Sequence, residues 1–169
     1  MDPPDELVDI VDLDDRVIGV TTRGEMRSRN LRHRCAEIVV MNAADEIYVH
    51  RRTDTKDVYP DMYDLFVGGV LASGESWDEG ATRELAEETG IAGAELRFLL
   101  DHAFDGTQER ALMRLYEVTW DGPIVAQPEE IAWGRFVSLK ELDRMLAEHT
   151  FCPDSVELFG LWRDGRLEP

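Results

Sequence analysis

Residues 69–91 read GVLASGESWDEGATRELAEETGI. Ser73-Gly74 marks a turn, and Ser76 followed three residues later by Glu79 is a capping box, so a helix is expected to start there. Gly90 is its expected C-cap. A helix turns about 100° per residue, so with Glu84 at zero Glu87 falls near about −60° and Glu88 near about +40°. The three carboxylates therefore share one face. Gly80 falls on that face as well and is expected to leave room for a ligand. Ala81, Thr82, Leu85 and Ala86 spread over the other side, toward the core. Arg83 precedes Glu87 by four residues, a spacing at which the two pair and hold a rotamer.

Three carboxylates this close repel one another and raise each other's pKa unless a cation sits among them. Ligand sets made only of oxygen favour magnesium or manganese over zinc. Magnesium also binds phosphate oxygens, so one or more ions can bridge Glu84, Glu87 and Glu88 to a diphosphate, orient it and lower the pKa of an attacking water. Gly68 and Gly69 would let the backbone approach such an ion.

Working outward, residues 7–13 and 16–21 alternate as two strands around an Asp14-Asp15 turn. Residues 23–29 read as a short helix after Thr22. Residues 35–41 and 46–51 read as a hairpin around Asn42 to Asp45, 52–62 as a polar loop, and 63–71 as a further strand. Beyond the glutamate helix, strands are expected at about 95–104, 111–120 and 134–138, and helices at 139–148 and 154–163. This order predicts an α/β (α+β) fold, a mixed β-sheet sandwiched between helices. The 169 residues suit one domain, with residues 1–30 forming an N-terminal hairpin and short helix extension.

Thirty-six acids face eighteen bases, a formal net charge of −18. Such a surface repels nucleic acid and anionic membranes, and also phosphate substrates unless metal ions invert the local field. No run of eighteen apolar residues is present, so no membrane span is expected. Met1 to Glu6 lack the basic start and apolar stretch of a signal peptide. Cys35 and Cys152 lie far apart with no metal-type spacing. A reduced, cytoplasmic protein is the expectation.

The 69–91 stretch resembles the signature of the Nudix hydrolases, G-x5-E-x7-R-E-U-x-E-E-x-G-U with U aliphatic. All nine fixed positions match: Gly69, Glu75, Arg83, Glu84, Leu85, Glu87, Glu88, Gly90 and Ile91. A chance match at a given start is on the order of one in a billion. The resemblance implies metal bound by the Gly69 carbonyl and by Glu84, Glu87 and Glu88, with Glu75 supporting the site and Arg83 orienting the glutamates. It also implies a Nudix fold and is compatible with a homodimer. The expected reaction is Mg2+- or Mn2+-dependent hydrolysis of a diphosphate linkage in a small molecule of the nucleoside diphosphate-X type.

Upstream, LRHR at 31–34, CAEIVVMNAADEIYVHRRTDTK and VYPDMYDLFVGG look like isopentenyl-diphosphate isomerase and the Nudix proteins that resemble it. The isomerase uses a cysteine in a Thr-Val-Cys-Gly-His-Pro type segment; here its position is Gly68, and a metal-binding histidine becomes Val70. His33 matches another isomerase metal position, although a surface or capping role is its simpler reading. An isomerase and a Nudix-fold module that binds nucleotide without cutting are the two alternatives to hydrolysis.

Arg51, Arg52 and Lys56 concentrate positive charge ahead of the motif and are candidates for the substrate phosphates, the paired arginines bidentately. Many Nudix enzymes recruit a general base from a later loop, where this chain has Glu129 and Glu130; Glu130 is the candidate, with Glu84, Glu87 or metal-bound hydroxide alone as the others. Arg135 stands where some relatives carry an acid. Asp105 and Glu109 are weaker candidates for the base, with a solvated turn the simpler reading; Phe104 and Trp133 could stack on a nucleobase or another flat group, with a core or rim position the simpler reading; and Cys35 reads as core.

Overall fold

A computed structural model describes residues 4–167. The chain opens with β1 (Leu7–Val11) and β2 (Val17–Thr22), an antiparallel pair forming its own two-stranded sheet. Their turn is held by the Asp12 carboxylate, whose Oδ1 accepts the N–H groups of Asp14 and Arg16 at 2.9 and 3.0 Å. Thr22 caps α1 (Arg23–Ser28) by accepting the Glu25 N–H.

β3 (His33–Met41) and β4 (Ile47–Arg52) meet only at Met41 and Ile47. The hairpin expected from sequence is thus real at its root and opens beyond it. The next segment is broken in two, β5 (Tyr63–Asp64) and β6 (Val67–Val70), where one strand over 63–71 was expected. The break has a local cause: Asp64 Oδ1 accepts the Leu65 N–H at 2.8 Å, diverting a backbone donor from the ladder. β5 then pairs with β4, and β6 with β3.

α2 (Trp77–Thr89) begins at Ser76 with the expected reciprocal capping box and ends at Gly90, whose φ of 72° is the left-handed conformation that glycine adopts without strain. β7 (Arg97–Asp105), β8 (Arg110–Thr119) and β9 (Ile131–Val137) follow, then α3 (Leu139–Glu148) and α4 (Pro153–Leu167). The main sheet has seven strands in the order β5-β4-β3-β8-β7, with β6 also on β3 and β9 on β4; β3 and β8 run parallel.

Alternation along β3 divides the core. Cys35, Val39 and Met41 join a cluster with Leu142 of α3 and Leu158 and Trp162 of α4. Ala36, Ile38 and Val40 pack with Ala81 and Leu85 of α2. Both faces of β3 are therefore covered, which makes the sheet a layer between helices, and each buried side chain such as Leu85 contributes about 2 kcal/mol. Among the described residues no helix is long and apolar enough to cross a membrane.

Candidate active site

Two glycines let β6 sit close to its neighbours, Gly69 against the glutamate helix and Gly68 against β3. A Cβ on Gly69 would sit 2.8 Å from Glu84 Oε1, and one on Gly68 would sit 2.0 Å from the Ala36 carbonyl oxygen. The Gly68 N–H donates to the Glu88 carboxylate at 3.2 Å. Glu84 and Glu88 are buried in this seam and Glu87 is exposed at its mouth.

Arg83 connects the acids. Its Nε and Nη2 donate to the two oxygens of Glu75, each at 2.9 Å, while Nη1 donates to Glu84 at 2.7 Å and Glu87 at 3.2 Å. Nη2 also reaches the Val70 carbonyl at 3.3 Å. Burial alone would raise the Glu75 carboxyl; Arg83 and the Ala72 N–H outweigh it and hold the group below its ordinary value. The expected orienting role extends further than the Glu87 pair, since one guanidinium spans Glu75, Glu84 and Glu87.

Glu88 has the opposite balance. Burial, reinforced by the charges of Glu84 and Glu130, pushes its carboxyl up to about 8 against the pull of Lys56 and Arg52. An all-oxygen donor set, crowded enough that one member resists ionising, fits a hard divalent cation. Glu84, Glu87, Glu88 and the Gly69 backbone are the groups that would hold it.

All of these residues line one cavity, together with Arg52, Lys56 and Glu130. Arg52 donates to Asp64 at 3.2 Å and to the Val58 carbonyl at 3.0 Å. Lys56 and Glu130 form a close ion pair. Burial would raise the Glu130 carboxyl, but Lys56 beside it holds it below its ordinary value.

Two sequence expectations are corrected. Arg51 does not line the cavity. Strand alternation turns it away from Arg52; its register partners are Tyr63 and Trp133, and it pairs with Asp61 at 3.1 Å. Gly80 leaves no room for a ligand, because a Cβ there would meet Leu71 at 2.7 Å. Its small size serves helix-to-strand packing instead.

Several further residues, lining the cavity or lying outside it, take places that local sequence did not fix. Glu109, expected in a solvated turn, is buried; it accepts Arg27 Nη1 at 2.7 Å and lies 3.3 Å from His33 Nε2. His33, expected at the surface or as a cap, is only 1% exposed. Glu37, Asp64 and Asp154 also line the cavity, as do Arg23 and Arg27 of α1. Cys35 is buried as expected and also borders the cavity. Phe104 is core, and Trp133 is a rim residue 5.9 Å from the Tyr63 ring. Asp105 stays at the surface, bound by Arg32 and Arg110.

Residues 31–157 match the NUDIX domain family. A Nudix hydrolase of Streptomyces coelicolor is 41% identical over 171 aligned positions, covering 98% of this chain and 93% of that protein. The Nudix hydrolase YfcD of Escherichia coli K12 is 36% identical over 157 positions, covering 93% and 86%. A crystal structure from Deinococcus radiodurans superimposes with a TM-score of 0.78 at 26% identity, covering 90% of this chain and 96% of the other.

Proposed function

This chain belongs to the Nudix hydrolases, and on that premise we propose that it cleaves the diphosphate linkage of a nucleoside diphosphate-X type small molecule with Mg2+ or Mn2+. One observation carries the reading. Glu84, Glu87 and Glu88 converge beside Gly69, organised by the Arg83–Glu75 fork, on a cavity that also contains Arg52, Lys56 and Glu130.

In the proposed reaction a water oxygen bonds to one phosphorus and the bond to the bridging oxygen breaks. An ion held by Glu84, Glu87, Glu88 and the Gly69 backbone would supply charge neutralisation for the phosphates and lower the pKa of the attacking water. Arg52 and Lys56 contribute fixed positive charge where negative charge builds up on the phosphate oxygens. Glu130 is the proposed acceptor of the water's proton: Lys56 keeps it ionised, which is the state a base requires. Arg83 acts through the glutamates and is a positioning residue. Arg51, turned toward Tyr63 and Trp133, has no part in phosphate binding on this reading.

Isomerase chemistry is disfavoured on steric grounds. The position where the isomerase needs a cysteine is Gly68, and any side chain there would collide with the Ala36 carbonyl. Kinship to the isomerase-like branch would then be one of ancestry, not of reaction.

The test is a panel of nucleoside diphosphates and triphosphates, dinucleotides, sugar nucleotides and prenyl diphosphates, incubated with Mg2+ and read for phosphate-containing products. Release of phosphate or a monophosphate from at least one class supports the proposal. Binding without product across the panel supports a non-catalytic module and contradicts it.

A further inference from the structure

A second hollow adjoins the cavity on α2, and Arg23, Arg27, Lys56 and Glu130 line both. Its volume is about 270 Å³ against about 60 Å³ for the cavity, so the bulkier part of a substrate fits in the second space. α1 walls it on one side and the 55–57 segment on another. α1 lies ahead of the family domain, which begins at residue 31. The hollow is therefore an addition to the site that carries the motif.

Its lining says what it would accept. Three cations, Arg23, Arg27 and Lys56, face three acids, Asp57, Glu129 and Glu130, so the wall as a whole favours a neutral guest. Most of these groups are paired: Arg23 with Glu6 and Asp57, each at 3.7 Å, and Lys56 with Glu130. Arg27 gives Nε to Asp57 at 3.1 Å and Nη1 to Glu109 at 2.7 Å, and its Nη2 makes no hydrogen bond among the described residues. The Glu129 side chain, which is exposed, is likewise uncommitted among the described residues. One donor and one acceptor thus remain for a ligand. A prenyl chain would strip water from charged groups and give nothing back. A nucleoside offers ring nitrogens and hydroxyls to both, and a flat base on which a guanidinium stacks.

We propose that the nucleoside of the substrate lies in this hollow, with Arg27 and Glu129 as its polar contacts, which makes α1 the element that reads the group attached to the diphosphate. The inference rests on the diphosphate reading of the α2 cavity.

Its test reads binding, not turnover. Titration calorimetry with Mg2+ compares methylenediphosphonate with the α,β-methylene analogues of ADP, GDP, UDP and CDP, which add a nucleoside to the same uncleavable core. At least one analogue should bind more tightly than methylenediphosphonate by about tenfold or more. Arg27→Gln should erase that ratio. Thr55 is exposed and lines the hollow but not the cavity, so Thr55→Phe should fill the hollow and erase the ratio too if Arg27→Gln does not fold. Equal affinities in the wild-type chain, or a ratio that survives in the folded variants, would overturn the proposal. So would tighter binding of a prenyl methylenediphosphonate than of every nucleoside analogue. Failure of all the compounds to bind would remove the diphosphate site itself, a result distinct from equal binding of all.

Discussion

Arg83 and Glu75 face each other as a fork, with Nε on Oε1 and Nη2 on Oε2, both at 2.9 Å. Bidentate geometry of this kind fixes a guanidinium in orientation as well as position. The remaining nitrogen, Nη1, is thereby aimed at Glu84 and Glu87. Glu75 thus acts on the cavity from outside it.

Arg83→Lys tests that relay. A point charge cannot grip Glu75 and two further carboxylates at once. The expected outcome is a fall in kcat of about 10–100-fold, with an increase in the Mg2+ concentration needed for half-maximal rate. KM and melting temperature should change little. A purely structural role would lower the melting temperature and leave the Mg2+ dependence untouched.

The two adjacent arginines should separate in kinetics. Arg52→Gln is expected to raise KM by about tenfold or more, the loss of one charge-assisted phosphate contact. Arg51→Ala should leave KM within about twofold, as for an exposed ion pair remote from the cavity. Equal effects from both would mean that the strand presents them to the substrate together.

Gly68→Ala should be strongly destabilising, because the added carbon would lie 2.0 Å from the Ala36 carbonyl oxygen. A penalty of about 3 kcal/mol is the upper end of overpacking costs. It corresponds to a drop in melting temperature of roughly 6–12 °C for a chain of this length. A melting temperature unchanged from wild type would show that β6 and β3 can move apart freely.

His50 should make stability depend on pH. It is buried, its Nδ1 has no hydrogen-bond partner, and burial, with Arg52 and Lys56 nearby, lowers its pKa from 6.5 to about 4 despite the opposing charges of Asp64 and Glu130. Between those values the unfolded chain binds a proton that the folded chain refuses. Stability is therefore lost as pH falls from about 6.5 toward 4. His50→Phe should remove about 2 kcal/mol of the difference between pH 7 and pH 4.5 in denaturant titrations. An unaltered pH slope would place the titration elsewhere.

Features set within one helix turn or one cap were legible in the sequence. The span of α2, its capping box, Gly90 and the shared face of Glu84, Glu87 and Glu88 all follow from spacing alone. Arg51 and Arg52 show where charge pattern misleads: composition put them together, and strand alternation sends them to opposite sides. Gly80 shares a helix face with the glutamates, yet only the packing of β6 against α2 reveals Leu71 above it. Glu109, Glu37, Asp64 and Asp154 were out of reach because four separate segments bring them to one cavity, and no local pattern encodes that positions 37 and 154 line the same cavity.

The most direct test of the central claim compares wild type with Glu87→Gln on whichever diphosphate the wild-type chain cleaves, with Mg2+ present. Glu87 is exposed at the cavity mouth, so the fold should survive, which circular dichroism and melting temperature will verify. The expected result is a fall in kcat by orders of magnitude, together with loss of wild-type activity when EDTA removes the ion. Turnover by Glu87→Gln equal to wild type, or wild-type hydrolysis that persists in EDTA, would contradict a metal-dependent reaction at this helix.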